Sequence, residues 1–240
     1  MERAMPATLE FITGRRAIRS FNPVSIAPVI REQILQAACA APSSFNIQPY
    51  RYIWVESPDA KKRAAELCMG QSAAKTASVL VVAVADVGSW KSTAQGHLQW
   101  MRESGMSESK IKEAEKRLKL AKYFFVQGWF NVFGAIKWVI LRGIHPWKIA
   151  GIAPVSKQGL FKWAAKNAAL SCENLMIAAE ALGFNTCPME GFDDLRLSRF
   201  LGLSSRHHEI VMVIAIGKKS EKHVDQPQWR RPLESTVTML

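Results

Sequence analysis

Arg15, Arg16 and Arg19 stand in the run Arg15-Arg16-Ala17-Ile18-Arg19-Ser20-Phe21. Guanidinium groups this close repel one another unless water or an anion lies between them, and the planar fork of arginine fits a phosphate bidentately. The run reads as a phosphate cradle or as a solvated basic turn after a helix. A second group is Pro42-Ser43-Ser44-Phe45-Asn46-Ile47-Gln48-Pro49-Tyr50. Its hydroxyls and carboxamides suit the edge of a heteroaromatic ring, and equally suit an Asx or Ser turn joining helix to strand. The third is Pro188-Met189-Glu190-Gly191-Phe192. There Gly191 lets backbone approach a planar ligand and successive N–H groups point at one ring atom; the alternative is a glycine turn before a helix begun by Asp193 or Asp194. Glu190, a carboxylate without a partner, is a weak signal for a general base.

These groups need elements to carry them. Apolar residues at Ile26, Ile30, Ile34 and Ala38 predict a helix over Ser25–Ala41, stopped by Pro42. A shorter helix is expected over Pro6–Thr13. Tyr50–Val55 has the aromatic and β-branched content of a strand, and Val79–Ala85 reads as a strand buried on both faces. Helices follow over Ala60–Leu67 and over Ser107–Lys122, the latter amphipathic through Ile111, Ala114, Leu118 and Ala121. Tyr123–Leu141 is aromatic and apolar but interrupted by Gln127, Asn131 and Lys137, so a helix of a soluble enzyme is expected rather than a membrane span. Lys157–Leu182 is a long helix ended by Gly183, with a brief helix over Asp194–Leu201 and a buried strand over Glu209–Ile216. No regular βαβ alternation appears and no GxGxxG follows the first strand, so a Rossmann domain is not supported and an α+β sheet flanked by helices is expected.

The chain has 240 residues, 48% of them hydrophobic, enough for one large core without disulfides or a structural metal. Cys39, Cys68, Cys172 and Cys187 form no CxxC pair, and His97, His145, His207, His208 and His223 show no ligand spacing, so no metal site is expected. Free thiols predict a reducing compartment, the cytoplasm. Met1–Glu10 lacks a signal-peptide pattern, and a mature N-terminus is expected. The net charge is +12, and between Lys91 and Lys157 there are 12 basic and 4 acidic side chains, so most of it lies there.

Taken in order, the three groups resemble the nitroreductase family of FMN-dependent NAD(P)H oxidoreductases. The likeness extends to Gly70-Gln71 before Val79–Ala85, to Asn174-Leu175-Met176 through Gly183, and to Arg230-Arg231-Pro232-Leu233. It implies a single domain over 1–240 with a mostly antiparallel sheet, an intertwined homodimer, a helical insertion at about 91–157 and a C-terminal arm at about 224–240. By the same resemblance Arg15, Arg16 and Arg19 bind the FMN phosphate and the pyrimidine side of the flavin, with Arg230 helping. Pro42, Ser43, Ser44 and Asn46 come from the partner subunit, and Gln71 bonds the pyrimidine edge. Pro188, Met189, Glu190 and Gly191 lie against the ring, with a backbone N–H directed at N5. Ala17 stands where a serine is common and Gln228 where a lysine often sits, which removes one phosphate cation. The implied reaction is hydride transfer from NADH or NADPH to a flat aromatic acceptor, such as a nitroaromatic or quinone, with dehalogenating and dehydrogenating relatives on the same fold.

The aromatic insertion is open to two readings. Phe124, Phe125, Trp129, Phe130 and Phe133 recur at helical spacing and either wall an acceptor pocket, with Trp129 and Phe133 as its lid, or form dimer-interface core. A different class of protein, a non-catalytic module, would use Trp100, Trp129, Trp138 and Trp147 on a membrane surface or nucleic acid. No RNP1, KH or zinc-finger signature is present, so nucleic acid is not an expected partner.

Overall fold

The computed structural model describes residues 7–22, 24–126, 132–144, 154–224 and 226–240. Among these residues five strands form the sheet: β1 (Phe21–Asn22), β2 (Tyr50–Val55), β3 (Val79–Asp86), β4 (Asn185–Met189) and β5 (His208–Lys219). β5 pairs with β3 on one side and with β4 and β1 on the other, and β2 lies outside β3. Every strand pairing is antiparallel. β2 faces β3 from Tyr50 opposite Ala85 to Val55 opposite Leu80. A register shift between Ala83 and Val84 bends the β3–β5 ladder.

Successive side chains of a strand point to opposite faces, and here both faces are covered. Leu80, Val82 and Val84 pack with Val213 and Ala215 against α3 (Pro58–Leu67), α4 (Ser72–Thr76) and α9 (Asp194–Phe200). Val79, Val81 and Ala83 pack with Ile214 and Ile216 against α2 (Pro28–Cys39) and α8 (Lys157–Ala181). That is why β3 reads as an unbroken apolar run. α8 is the central helix. Ser156 caps it by accepting from the Gly159 N–H, and Gly183 follows its end at φ +76°, a conformation that disfavours a Cβ. Its Ser171 hydroxyl donates to the Ala38 carbonyl of α2 at 2.6 Å.

The expected helices are present, with differences at the edges. α1 spans Ala7–Gly14, and α5 (Trp90–Glu103) is an addition. The apolar stretch expected as one helix over 123–141 is divided: Tyr123–Phe125 end α6 (Glu108–Phe125), and α7 runs from Val132 to Ile144. Phe125 is buried, stacked 5.1 Å from Trp90 and edge-on to Trp163 at 5.0 Å, which holds α6 to α5 and α8. Phe124 lies beside it. Trp129 and Phe130 lie outside the described residues, and Phe133 is exposed. His208 begins β5, and its Nε2 lies 3.6 Å from the buried carboxylate of Asp86.

Candidate functional site

The first and third sequence groups meet along β4. Ala17 forms a parallel bridge with Thr186, and the Ile18 N–H donates to the Thr186 carbonyl at 3.0 Å. The arginine run thus touches β4 through this one bridge, and the last residues of β4 are Pro188 and Met189. Pro188 has no N–H to give, which a strand tolerates where that side of it makes no ladder. Beyond β4, Gly191 sits against Gln71: Gln71 Nε2 donates to the Gly191 carbonyl at 2.7 Å and to that of Cys68 at 3.1 Å. Glu190 is exposed, and no backbone carbonyl among the described residues receives the N–H of Glu190 or Gly191.

Arg15 is the buried member of its cluster. Its side chain is 17% exposed, and its Nε lies 3.7 Å from Glu173 Oε1, too long for a hydrogen bond. Both Nε and Nη1 are buried with no hydrogen-bond partner. A buried guanidinium left so is costly, and an anion would relieve it. Arg16 instead directs Nη1 to the carbonyls of Thr13 and Gly14, at 2.9 and 2.8 Å, and closes the end of α1. Arg16, Ala17 and Arg19 line a cleft of about 690 Å³ with Asn185, Lys219 and Gln228. Burial pushes the Cys187 thiol above its ordinary value, while Arg19 and Arg15 nearby pull it down. Arg230 is exposed, its Nη1 bonded to the Trp229 carbonyl, and it does not line this cleft.

The second group stands elsewhere. The Ser44 N–H donates to Asn167 Oδ1 at 2.8 Å, and Ser43 Oγ accepts from the Gln48 N–H at 2.9 Å. Asn46 Oδ1 accepts from Gln48 Nε2 at 3.0 Å. Phe45, Asn46 and Gln48 all have positive φ, near 59°, 54° and 49°, and Pro42 is exposed ahead of them. For a residue as bulky as Phe45 this is a strained conformation, held by its edge contact with Phe124 at 6.0 Å. The turn is fixed to α8 at Asn167 and the arginine cluster at Glu173. Glu173 lies six positions after Asn167, about 9 Å along the helix axis and roughly 120° around it. Phe45 and Asn46 line a second cavity, of about 780 Å³, with His97, Met101, Ala114 and Leu118 of α5 and α6.

Asn167, Glu173 and Asp86 are anchors that the motifs do not mark. Asp86 is 4% exposed, accepts from the Gly88 and Ser89 N–H groups at 2.8 and 3.1 Å, and lies 3.2 Å from Arg51 Nε. A carboxylate closing an all-apolar strand is the one signal the sequence offers for it. No metal-binding cluster of His, Cys, Asp or Glu occurs among the described residues, and none of the four cysteines is paired. Among the described residues no helix is long and apolar enough to cross a membrane.

The donor set along β4 suits a phosphorylated, planar ligand, held on an antiparallel α+β scaffold. The chain belongs to the Nitroreductase family, whose model matches residues 12–218. It is 28% identical over 223 residues to the "NADH dehydrogenase" of Thermus thermophilus, covering 93% of this chain and 91% of that one. It is also 28% identical over 225 residues to the protein DrgA of Synechocystis, covering 93% and 88%. A crystal structure from Exiguobacterium sibiricum, assigned as a nitroreductase and solved in complex with FMN, shares the fold. It superposes with a TM-score of 0.74 at 22% identity and covers 100% of both chains.

Proposed function

We propose that the protein is an FMN-dependent oxidoreductase that takes hydride from NADH or NADPH and passes electrons to a flat acceptor such as a nitroaromatic or a quinone. The observation that carries this reading is Arg15, whose guanidinium Nε and Nη1 are buried without a hydrogen-bond partner and await an acceptor. FMN, when bound, supplies a site that takes hydride from the nicotinamide and returns electrons to the acceptor. Arg15 and Arg19 neutralise its anionic groups, and Arg16 orients the run by fastening it to α1. Gln71 spends its Nε2 on two carbonyls, which leaves Oε1 as an acceptor for the pyrimidine edge. The amides of Glu190 and Gly191 donate toward the ring, and the exposed Glu190 side chain moves no proton. A cationic surround favours negative charge on the reduced ring, and preorganised amides cost no reorganisation.

The turn Pro42, Ser43, Ser44 and Asn46 serves the flavin of a second subunit in this proposal, because it is anchored on another face of α8 than Arg15. Exposed Leu9 and Ile12 on α1, and Trp229 and Leu233 in the C-terminal arm, are apolar groups that a second subunit covers. The acceptor occupies the cavity beside Phe45, rather than one walled by the exposed Phe133.

The test is direct. Protein purified with adequate flavin is yellow, oxidises NADH or NADPH in the presence of a quinone, and sediments as a dimer. A colourless protein without saturable FMN binding sinks the cofactor assignment, and a monomer that holds FMN tightly sinks the shared site.

A further inference from the structure

α7 is built inside out. Along a helix, residues three, four and seven apart share a face. The face toward the protein carries Gly134, Lys137 and Leu141: Gly134 is buried and the other two are half-buried. Lys137 Nζ donates inward to the carbonyls of Val126 and Pro154, both at 3.0 Å, and more distantly to those of Tyr123 and Phe124. The opposite face is apolar. Val132, Ile136 and Val139 point outward, flanked by Phe133 and Ile140 on one side and by Trp138 on the other, and each is about half exposed or more. A surface helix ordinarily does the reverse, and a continuous apolar patch of this kind marks a contact surface.

Charge selects the occupant. The segment from Lys91 to Lys157 carries 12 basic and 4 acidic side chains. A second copy docked through the same face sets like charge against like, whereas an anionic lipid surface is complementary. Trp138 and Arg142 lie together at the rim, the guanidinium 5.6 Å from the ring centroid. An indole and a long basic side chain suit the boundary between headgroups and acyl chains. With 13 residues α7 is about 20 Å long, short of the ~30 Å hydrocarbon core, so it lies in the plane rather than across it.

We propose that α7 is an interfacial helix through which this protein docks on an anionic lipid bilayer. The docking does not depend on the flavin reading, since none of these residues touches the arginine cleft.

Flotation of the full-length protein with vesicles tests it, using phosphatidylcholine alone and phosphatidylcholine with phosphatidylglycerol. The expected result is binding to the anionic vesicles that declines as salt rises. Ile136→Asp with Val139→Asp weakens it by about tenfold or more, and Arg142→Glu by roughly fivefold, both with unchanged melting temperature. Absence of flotation at low salt, or equal binding by wild type and variants, overturns the proposal. Equal binding to both vesicle types overturns the anionic assignment. A changed sedimentation coefficient in the Ile136→Asp, Val139→Asp chain would make the face a contact between copies and refute the lipid reading.

Discussion

Gln71 holds the Gly191 carbonyl at 2.7 Å across 120 residues of chain, and in doing so ties the segment after α3 to the turn after β4. The same Nε2 bonds the Cys68 carbonyl, so one carboxamide fixes both walls of the corner.

Gln71→Leu removes both bonds at about 1 kcal/mol each. The expected outcome is a melting temperature lowered by roughly 4–8 °C and FMN affinity lowered about tenfold, read by flavin fluorescence titration. Gly191→Ala separates the two effects. Its Cβ meets Gln71 Nε2 at 3.1 Å and Met69 Sδ at 3.8 Å, so the Gln71 amide must give by a few tenths of an ångström but is not lost; a smaller fall in stability than in Gln71→Leu is expected, with FMN binding lowered. Equal FMN affinity in all three proteins would remove this corner from the flavin site.

Arg15 gives a prediction of opposite signs. Arg15→Met removes a buried charge whose Nε and Nη1 have no partner, so the FMN-free protein melts at the same temperature or higher. FMN affinity falls by roughly 100-fold, the worth of one or two charge-assisted hydrogen bonds. Arg15→Lys restores little of it, because an ammonium lacks the fork. A large loss of stability without FMN contradicts the anion-cradle role.

His208 links stability to pH. Burial lowers its pKa from 6.5, and Arg51 and His207 lower it further against the opposing pull of Asp86. The folded protein therefore binds this proton less readily than the unfolded chain. The resulting stability is present above the unfolded value and is lost as pH falls below it toward the folded one. Thermal melts of wild type fall between about pH 7.5 and 5.5, and His208→Gln flattens that slope. An identical slope in the variant would show that other groups set it.

Lys137 is the pin between three helices. Burial lowers its pKa, and its bonds to the carbonyls of Val126 and Pro154 tie the end of α6 and the approach to α8 to α7. Lys137→Met removes these bonds at a cost of about 2 kcal/mol, a fall of roughly 4–8 °C in melting temperature. Proteolysis after residue 123 becomes faster. FMN affinity is expected to stay as it was, and a parallel loss of flavin would mean that α7 supports the flavin site as well.

The strands that the sequence shows clearly are those whose own residues decide the matter. β2 begins and ends at Tyr50 and Val55, as its aromatic content and the bounding Pro49 and Pro58 require. β4 is different: Asn185-Thr186-Cys187-Pro188-Met189 has neither alternation nor high propensity and becomes a strand through its partner β5. β1, two residues long, is below what any periodicity resolves. In the candidate site, the arginine run and Gly191 were legible as candidates because their residue types carry chemistry. Glu173 and Asn167 were not, since their roles depend on which turn of α8 faces which loop. The burial of Phe125 against Trp90 and Trp163 was likewise hidden, because it rests on contacts between distant segments.

α8 bears Asn167, which sets the Ser44 turn, and Glu173, which stands by Arg15. Inserting or deleting one residue between them rotates one anchor against the other by about 100° and shifts it by about 1.5 Å. The outward side chains of that stretch can be exchanged, whereas Ala168, Ser171 and Cys172 are buried, and its length cannot change. Across natural variants of this chain, the interval from Asn167 to Glu173 should carry no gaps.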